Sequence, residues 1–178
     1  MTGPWHGAAE DGDAMVTMTP GLALGVLTAD CVPVLFAEPQ ANIVAAAHCG
    51  WRGAVRGILG ATIEQIRTLG GNIEDVRAAI GPAISKDSYE VGADLRSEFL
   101  EAHPSSNAYF VKGKSSDKWQ FALDLWVVAQ LRALGISKID HVNRDTYTDE
   151  ENFFSCRRAT HKKQADFGRQ ISAITLLS

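Results

Sequence analysis

Short apolar runs, polar turns and helically spaced stripes follow one another along this chain. Residues 22–27 and 32–37 are apolar runs of strand length separated by the polar Thr28 and Asp30, and a third run, 43–47, leads into His48. From 51 to 69 the apolar residues Val55, Ile58, Leu59, Ile63, Ile66 and Leu69 recur at helical spacing. Gly70 and Gly71 supply the stop, so the pattern predicts one continuous helix.

A strand over 76–80 ends at Gly81 and Pro82. Val91, Leu95 and Phe99 predict a second helix that stops before Pro104, and Leu123, Trp126, Val127, Leu131 and Leu134 a third, closed by Gly135. The Ser-, Lys- and Gly-rich stretch 105–118 reads as an exposed excursion, since apolar pattern resumes on both sides. The last strand is predicted over 171–177. No internal repeat interrupts this alternation, which predicts an α/β fold, a mixed sheet with helices packed against it.

Composition narrows the class. A chain of 178 residues with 46% hydrophobic and 21% charged residues is built for one buried core and is expected to form a single domain. The net charge of -4, without a run of like charges, leaves no footprint for a nucleic-acid backbone. The apolar runs are far shorter than the roughly 20 residues that span a bilayer, and the first residues lack the basic and apolar regions of a secretory signal. A cytoplasmic location without membrane partners is expected. Three cysteines, an odd number without a framework spacing, point to reduced thiols.

The candidate chemistry gathers in 28–36 and 45–53. Cys31 starts one predicted strand and His48 ends the next, so antiparallel pairing would bring both side chains to one end of the sheet. A thiolate and a neutral imidazole suit zinc, whose catalytic sites usually keep three protein ligands and an open position. The same two residues also read as a buried small side chain and a strand-end hydrogen-bonding histidine. Asp30, beside Cys31, is a candidate ligand orienter or general base, and equally a turn residue. Gly50 and Gly53 bracket Trp51 and Arg52 where the long helix begins, so Arg52 and free helix N–H groups would favour an anion such as phosphate, or the glycines simply permit a tight turn. Cys49 should point away from His48 and pack, and Trp126 belongs to a core stripe.

Near the C-terminus, Asp145, Thr146 and Tyr147, then Phe153 to Arg158, then Gly168, Arg169 and Gln170 mix aromatics with arginines. They read as a base- and anion-binding surface or as a solvated basic turn against core phenylalanines. His161 reads as a surface histidine, and His6, His103 and His141 show no ligand-like grouping.

Taken in order, Asp13-Ala14-Met15-Val16-Thr17, Thr28-Ala29-Asp30-Cys31, Ala47-His48-Cys49-Gly50-Trp51-Arg52-Gly53, Ile80-Gly81-Pro82, Tyr89-Glu90-Val91, Phe153-Phe154-Ser155 and Gly168-Arg169-Gln170 resemble the YfiH family over nearly the whole chain. The resemblance implies a layered α/β/β/α sandwich with mixed sheets, similar to that of cytotoxic necrotizing factor deamidases. Fold alone does not fix function. It also implies zinc held by one Cys and two His, with the Cys and second His falling on Cys31 and His48. The family's first histidine lies in a Gln-Val-His motif upstream of Asp13, and His6 does not occupy that place. The expectation is therefore one YfiH-like domain over 1–178, either lacking its N-terminal segment or carrying an incomplete metal site. The family's usual Cys-Thr near the end is here Asp145-Thr146.

The activity implied by the resemblance is zinc-dependent purine nucleoside phosphorolysis with adenosine deamination. Its substrates would be purine nucleosides of the adenosine, inosine, guanosine and methylthioadenosine class, with phosphate. Cys31, His48, Asp30 and Arg52 are the candidate catalytic residues. The usual zinc deaminase signature, His-x-Glu with a later Pro-Cys-x-x-Cys, is absent, so deamination would use a different scaffold. Copper-dependent polyphenol (laccase) oxidation is an alternative, though five scattered histidines make a poor copper cluster. A third is a cysteine-nucleophile amidase or hydrolase, with Cys31 attacking and His48 as base, in cell-wall precursor editing.

Overall fold

The computed structural model describes residues 12–177. Its centre is a five-stranded mixed sheet in the order β1-β4-β3-β5-β9, formed by Ala14–Thr17 (β1), Val32–Glu38 (β3), Ile43–Cys49 (β4), Arg77–Ile80 (β5) and Lys138–His141 (β9). All pairs are antiparallel except β5 with β9. A two-stranded ribbon of Ala23–Thr28 (β2) and Gln170–Thr175 (β10) lies on one face, and a three-stranded sheet of Glu90–Gly92 (β6), Phe110–Lys112 (β7) and Lys118–Phe121 (β8) stands apart.

Alternation along β3 and β4 explains the layers. Val32, Val34 and Phe36, with Ile43, Ala45, Ala47 and Cys49, point into the main core against Leu59, Ile63, Trp126, Val127 and Leu131 on the helices. Residues of the opposite parity, Leu35, Ala37, Val44 and Ala46, pack against Leu24, Val26 and Ile174 of the ribbon. Both faces of the sheet are thus covered, one by helices and one by strands, in the mixed α/β layering expected. Cys49, fully buried on the helical side, packs as its parity predicts.

Several elements differ from the sequence reading. The helix predicted over 51–69 is two, Trp51–Val55 (α1) and Ile58–Thr68 (α2), because Gly57 takes a left-handed conformation, φ 78°, that breaks the ladder. Val91 belongs to β6, and the helix after it is Ala93–Ala102 (α3). The stretch 105–118 is not a bare excursion, since it carries most of the 3-10 turn Pro104–Tyr109 and all of β7. Leu123–Ala133 (α4) matches its stripe. The basic segment is a short helix, Cys156–His161 (α5), capped by Ser155, whose Oγ accepts from the Arg158 N–H. No helix among the described residues is long and apolar enough to cross a membrane.

Candidate active site

Cys31 and His48 meet on the ribbon-facing side of the main sheet. The register pairs Val32 with Cys49 and Pro33 with His48, so by continuation Gly50 stands opposite Cys31, with His48 as the diagonal neighbour. The consequence is visible at Gly50. A Cβ placed there would lie 3.0 Å from the Cys31 Sγ and 3.8 Å from the His48 Nε2, so thiol and ring nitrogen converge on space that only glycine leaves open.

The chain reaches this point by crossing from ribbon to main sheet between β2 and β3, and Asp30 makes the turn. It is a non-glycine residue at φ 89° and is 8% exposed. Such a conformation persists only where surroundings enforce it. Here Asp30 Oδ1 accepts from Thr146 Oγ1 at 2.7 Å, Oδ2 accepts from the Arg157 N–H at 2.7 Å, and its carbonyl accepts from the Ile84 N–H at 2.9 Å. Each carboxylate oxygen thus accepts a hydrogen bond from a segment far along the chain, and together these bonds hold the Cys31 loop in place.

Sequence reasoning missed a residue that touches His48 through both backbone and side chain. Asp13, one position before β1, accepts the His48 backbone N–H through its carbonyl at 2.7 Å, and its Oδ1 lies 3.3 Å from His48 Nδ1. Its place at the head of the Asp-Ala-Met-Val-Thr motif was the available signal.

Burial, aided by Asp30, Cys156 and Asp13, pushes the Cys31 thiol up to about 11. Left alone, it is a poor nucleophile near neutrality. Tyr89 lies within electrostatic reach of Cys31. Burial and then Cys31 raise its phenol, while Arg157 and Arg52 act in the opposite direction. The Arg157 guanidinium sits 5.3 Å from the Tyr89 ring centroid and donates to the Glu90 carbonyl at 2.6 Å. Arg52 is exposed and stacks on Trp51, 4.3 Å from the ring centroid. Arg158, by contrast, is spent internally, donating to the carbonyls of Thr146, Tyr147 and Phe153. The basic segment is therefore a helix with Arg158 bonded internally rather than a solvated turn.

The other described histidines lie elsewhere. His103 packs against both Phe99 and Trp126 with Nε2 at the Ala54 carbonyl, His141 faces Asp124, and His161 meets the Tyr147 hydroxyl. His6 lies outside the described residues. Among the described residues, no three His, Cys, Asp or Glu side chains are grouped closely enough to hold a metal by themselves. The donor set at Gly50 suits zinc in kind, one sulfur and one imidazole, and supplies two of the three protein ligands such sites use.

Comparison with known proteins places this geometry in a family context. Residues 3–177 match the family described as multi-copper polyphenol oxidoreductase laccase. Purine nucleoside phosphorylase Rv2149c of Mycobacterium tuberculosis is 39% identical over 171 residues, covering 96% of this chain and 64% of the relative. Adenosine deaminase RL5, from an unknown prokaryotic organism, is 37% identical over 156 residues, 85% of this chain and 58% of the relative. The crystal structure of Bacillus licheniformis hypothetical protein YfiH superposes with a TM-score of 0.83 at 32% identity, over 92% of this chain and 61% of that one. The chain thus spans just under two thirds of the length of these relatives.

Proposed function

The chain belongs to the YfiH family, the group described as multi-copper polyphenol oxidoreductase laccase, and from that premise we propose that it acts on purine nucleosides with zinc held by Cys31 and His48. Phosphorolysis and adenosine deamination are the two reactions, as the names of relatives suggest. One observation carries the reading: a sulfur and an imidazole nitrogen within 4 Å of one point beside Gly50. When bound, zinc would supply Lewis acidity to the reaction and would keep Cys31 ionised despite its burial.

The chain's own residues do the rest. Gly50 keeps the space between the donors clear. Asp30 fixes the Cys31 loop through Thr146 and Arg157. In phosphorolysis, Arg52 would hold phosphate by its planar fork while a phosphate oxygen bonds to the ribose C1′, the bond to the purine nitrogen breaks, and the purine takes up a proton. Tyr89, with the Arg157 guanidinium over its ring, would offer the base an aromatic face.

Two observations weigh against the alternatives. Copper oxidation by a laccase needs clustered histidines, and the described ones other than His48 are engaged at separate places. A metal-free cysteine nucleophile needs a thiolate, and burial holds Cys31 as a thiol up to about pH 11. The test is product analysis by chromatography with inosine and phosphate, then with adenosine. Hypoxanthine with ribose 1-phosphate, and inosine from adenosine, both lost in Cys31→Ala, are expected. Turnover that survives in Cys31→Ala contradicts the reading.

A further inference from the structure

One residue holds His48 from two directions. The last register pair between β1 and β4 is Ala14 with Ala47, so Asp13 continues the ladder opposite His48, and their side chains share a face. A main-chain bond of 2.7 Å joins the two residues, and Asp13 Oδ1 lies 3.3 Å from His48 Nδ1, within charge-pairing distance of that nitrogen. A neutral imidazole carries one proton, and which nitrogen bears it is set by the partner of the other. A carboxylate can only accept, so this contact calls for the proton on Nδ1 and leaves the Nε2 lone pair free. Nε2 is the nitrogen that faces the Gly50 space and Cys31.

We propose that Asp13 is a positioning residue: it selects the Nδ1–H form of His48 and so presents Nε2 as the acceptor facing Cys31. Without it, histidine in water carries its proton mainly on Nε2, which would turn a hydrogen toward the thiol and block that nitrogen as a ligand or base. The Asp13 side chain is 58% exposed, so its removal strands no buried group. The effect falls on the ring rather than on the fold. Only the zinc readout below rests on the metal reading.

The experiment is ¹⁵N NMR of the imidazole nitrogens in the metal-free 178-residue protein at pH 8, comparing wild type, Asp13→Ala and Asp13→Asn. Backbone amide spectra confirm that each is folded. Wild type is expected to show His48 protonated on Nδ1, Asp13→Ala mainly on Nε2, and Asp13→Asn, whose amide can donate as well as accept, a mixture. Chelator competition should then show zinc binding about ten- to a hundredfold weaker in Asp13→Ala, the usual cost of losing a partner behind a ligating histidine. A wild-type ring protonated on Nε2, or one whose tautomer is indifferent to Asp13, overturns the proposal. If the tautomer switches as stated and zinc binds neither protein, the role of Asp13 stands and the metal reading fails.

Discussion

The Asp30 carboxylate accepts the main-chain N–H of Arg157 at 2.7 Å across 127 positions of sequence. That bond ties the Cys31 loop to α5, and with the one from the turn at Thr146 it holds a left-handed aspartate in place. Asp30→Ala should lose about 2–3 kcal/mol, the worth of hydrogen bonds to a buried charge, by denaturant unfolding. Asp30→Gly loses the same bonds but relieves the left-handed strain, and should be about 1 kcal/mol more stable than Asp30→Ala. Equal stabilities would show that the turn is unstrained.

Gly50→Ala tests the converging geometry. The new methyl would sit 3.0 Å from Cys31 Sγ and 3.8 Å from His48 Nε2, in the space a shared ligand would occupy. Zinc affinity should fall at least about tenfold, while unfolding free energy changes by no more than about 1–2 kcal/mol, since the contact is with one side chain. Unchanged zinc affinity would place any metal elsewhere.

The raised Cys31 thiol predicts an alkaline weakness in the metal-free protein. In the unfolded chain it ionises from its ordinary value of 9.0, and in the folded chain only near 11. A raised folded value contributes stability that is complete below pH 9 and is lost as pH climbs through 11. Cys31→Ser does not ionise there. Wild type should therefore lose stability relative to Cys31→Ser between pH 9 and 11, by an amount on the order of 2 kcal/mol. Parallel stability curves for the two proteins would contradict the burial of the thiol.

Arg52 and Arg158 should separate by role. Arg52 is exposed and pairs with no acid among the described residues, so Arg52→Ala should leave Tm within a degree or two and raise the KM for phosphate about tenfold, the cost of one charge-assisted contact. Arg158→Lys, which cannot reproduce a fork to three carbonyls, should lower stability by about 2 kcal/mol in denaturant. A phosphate KM unchanged in Arg52→Ala would remove Arg52 from the site.

How much of this was legible in the sequence follows from where each signal lives. The approach of Cys31 to His48 could be read because antiparallel neighbours and period-two alternation are local facts, and β3 and β4 do pair antiparallel with Pro33 opposite His48. Asp13 escaped because its motif marks the segment without saying what it faces, and only the register brings it opposite His48. α5 escaped because its six residues bury one side chain, Ala159, and so carry no stripe. Asp30 read from its place beside Cys31 as a ligand orienter, a base or a turn residue, and the sequence could not choose because its partners, Thr146 and Arg157, lie more than a hundred residues away. The break at Gly57 is invisible to apolar spacing, which runs through it unbroken from Val55 to Ile58.

X-ray absorption at the zinc edge of the reconstituted protein is the most direct measurement of whether Cys31 and His48 share one metal. One sulfur near 2.3 Å with nitrogen or oxygen near 2.0–2.1 Å is predicted, the sulfur shell vanishing in Cys31→Ala and the imidazole scattering in His48→Ala. A zinc environment without sulfur, or one that neither substitution alters, would contradict the account.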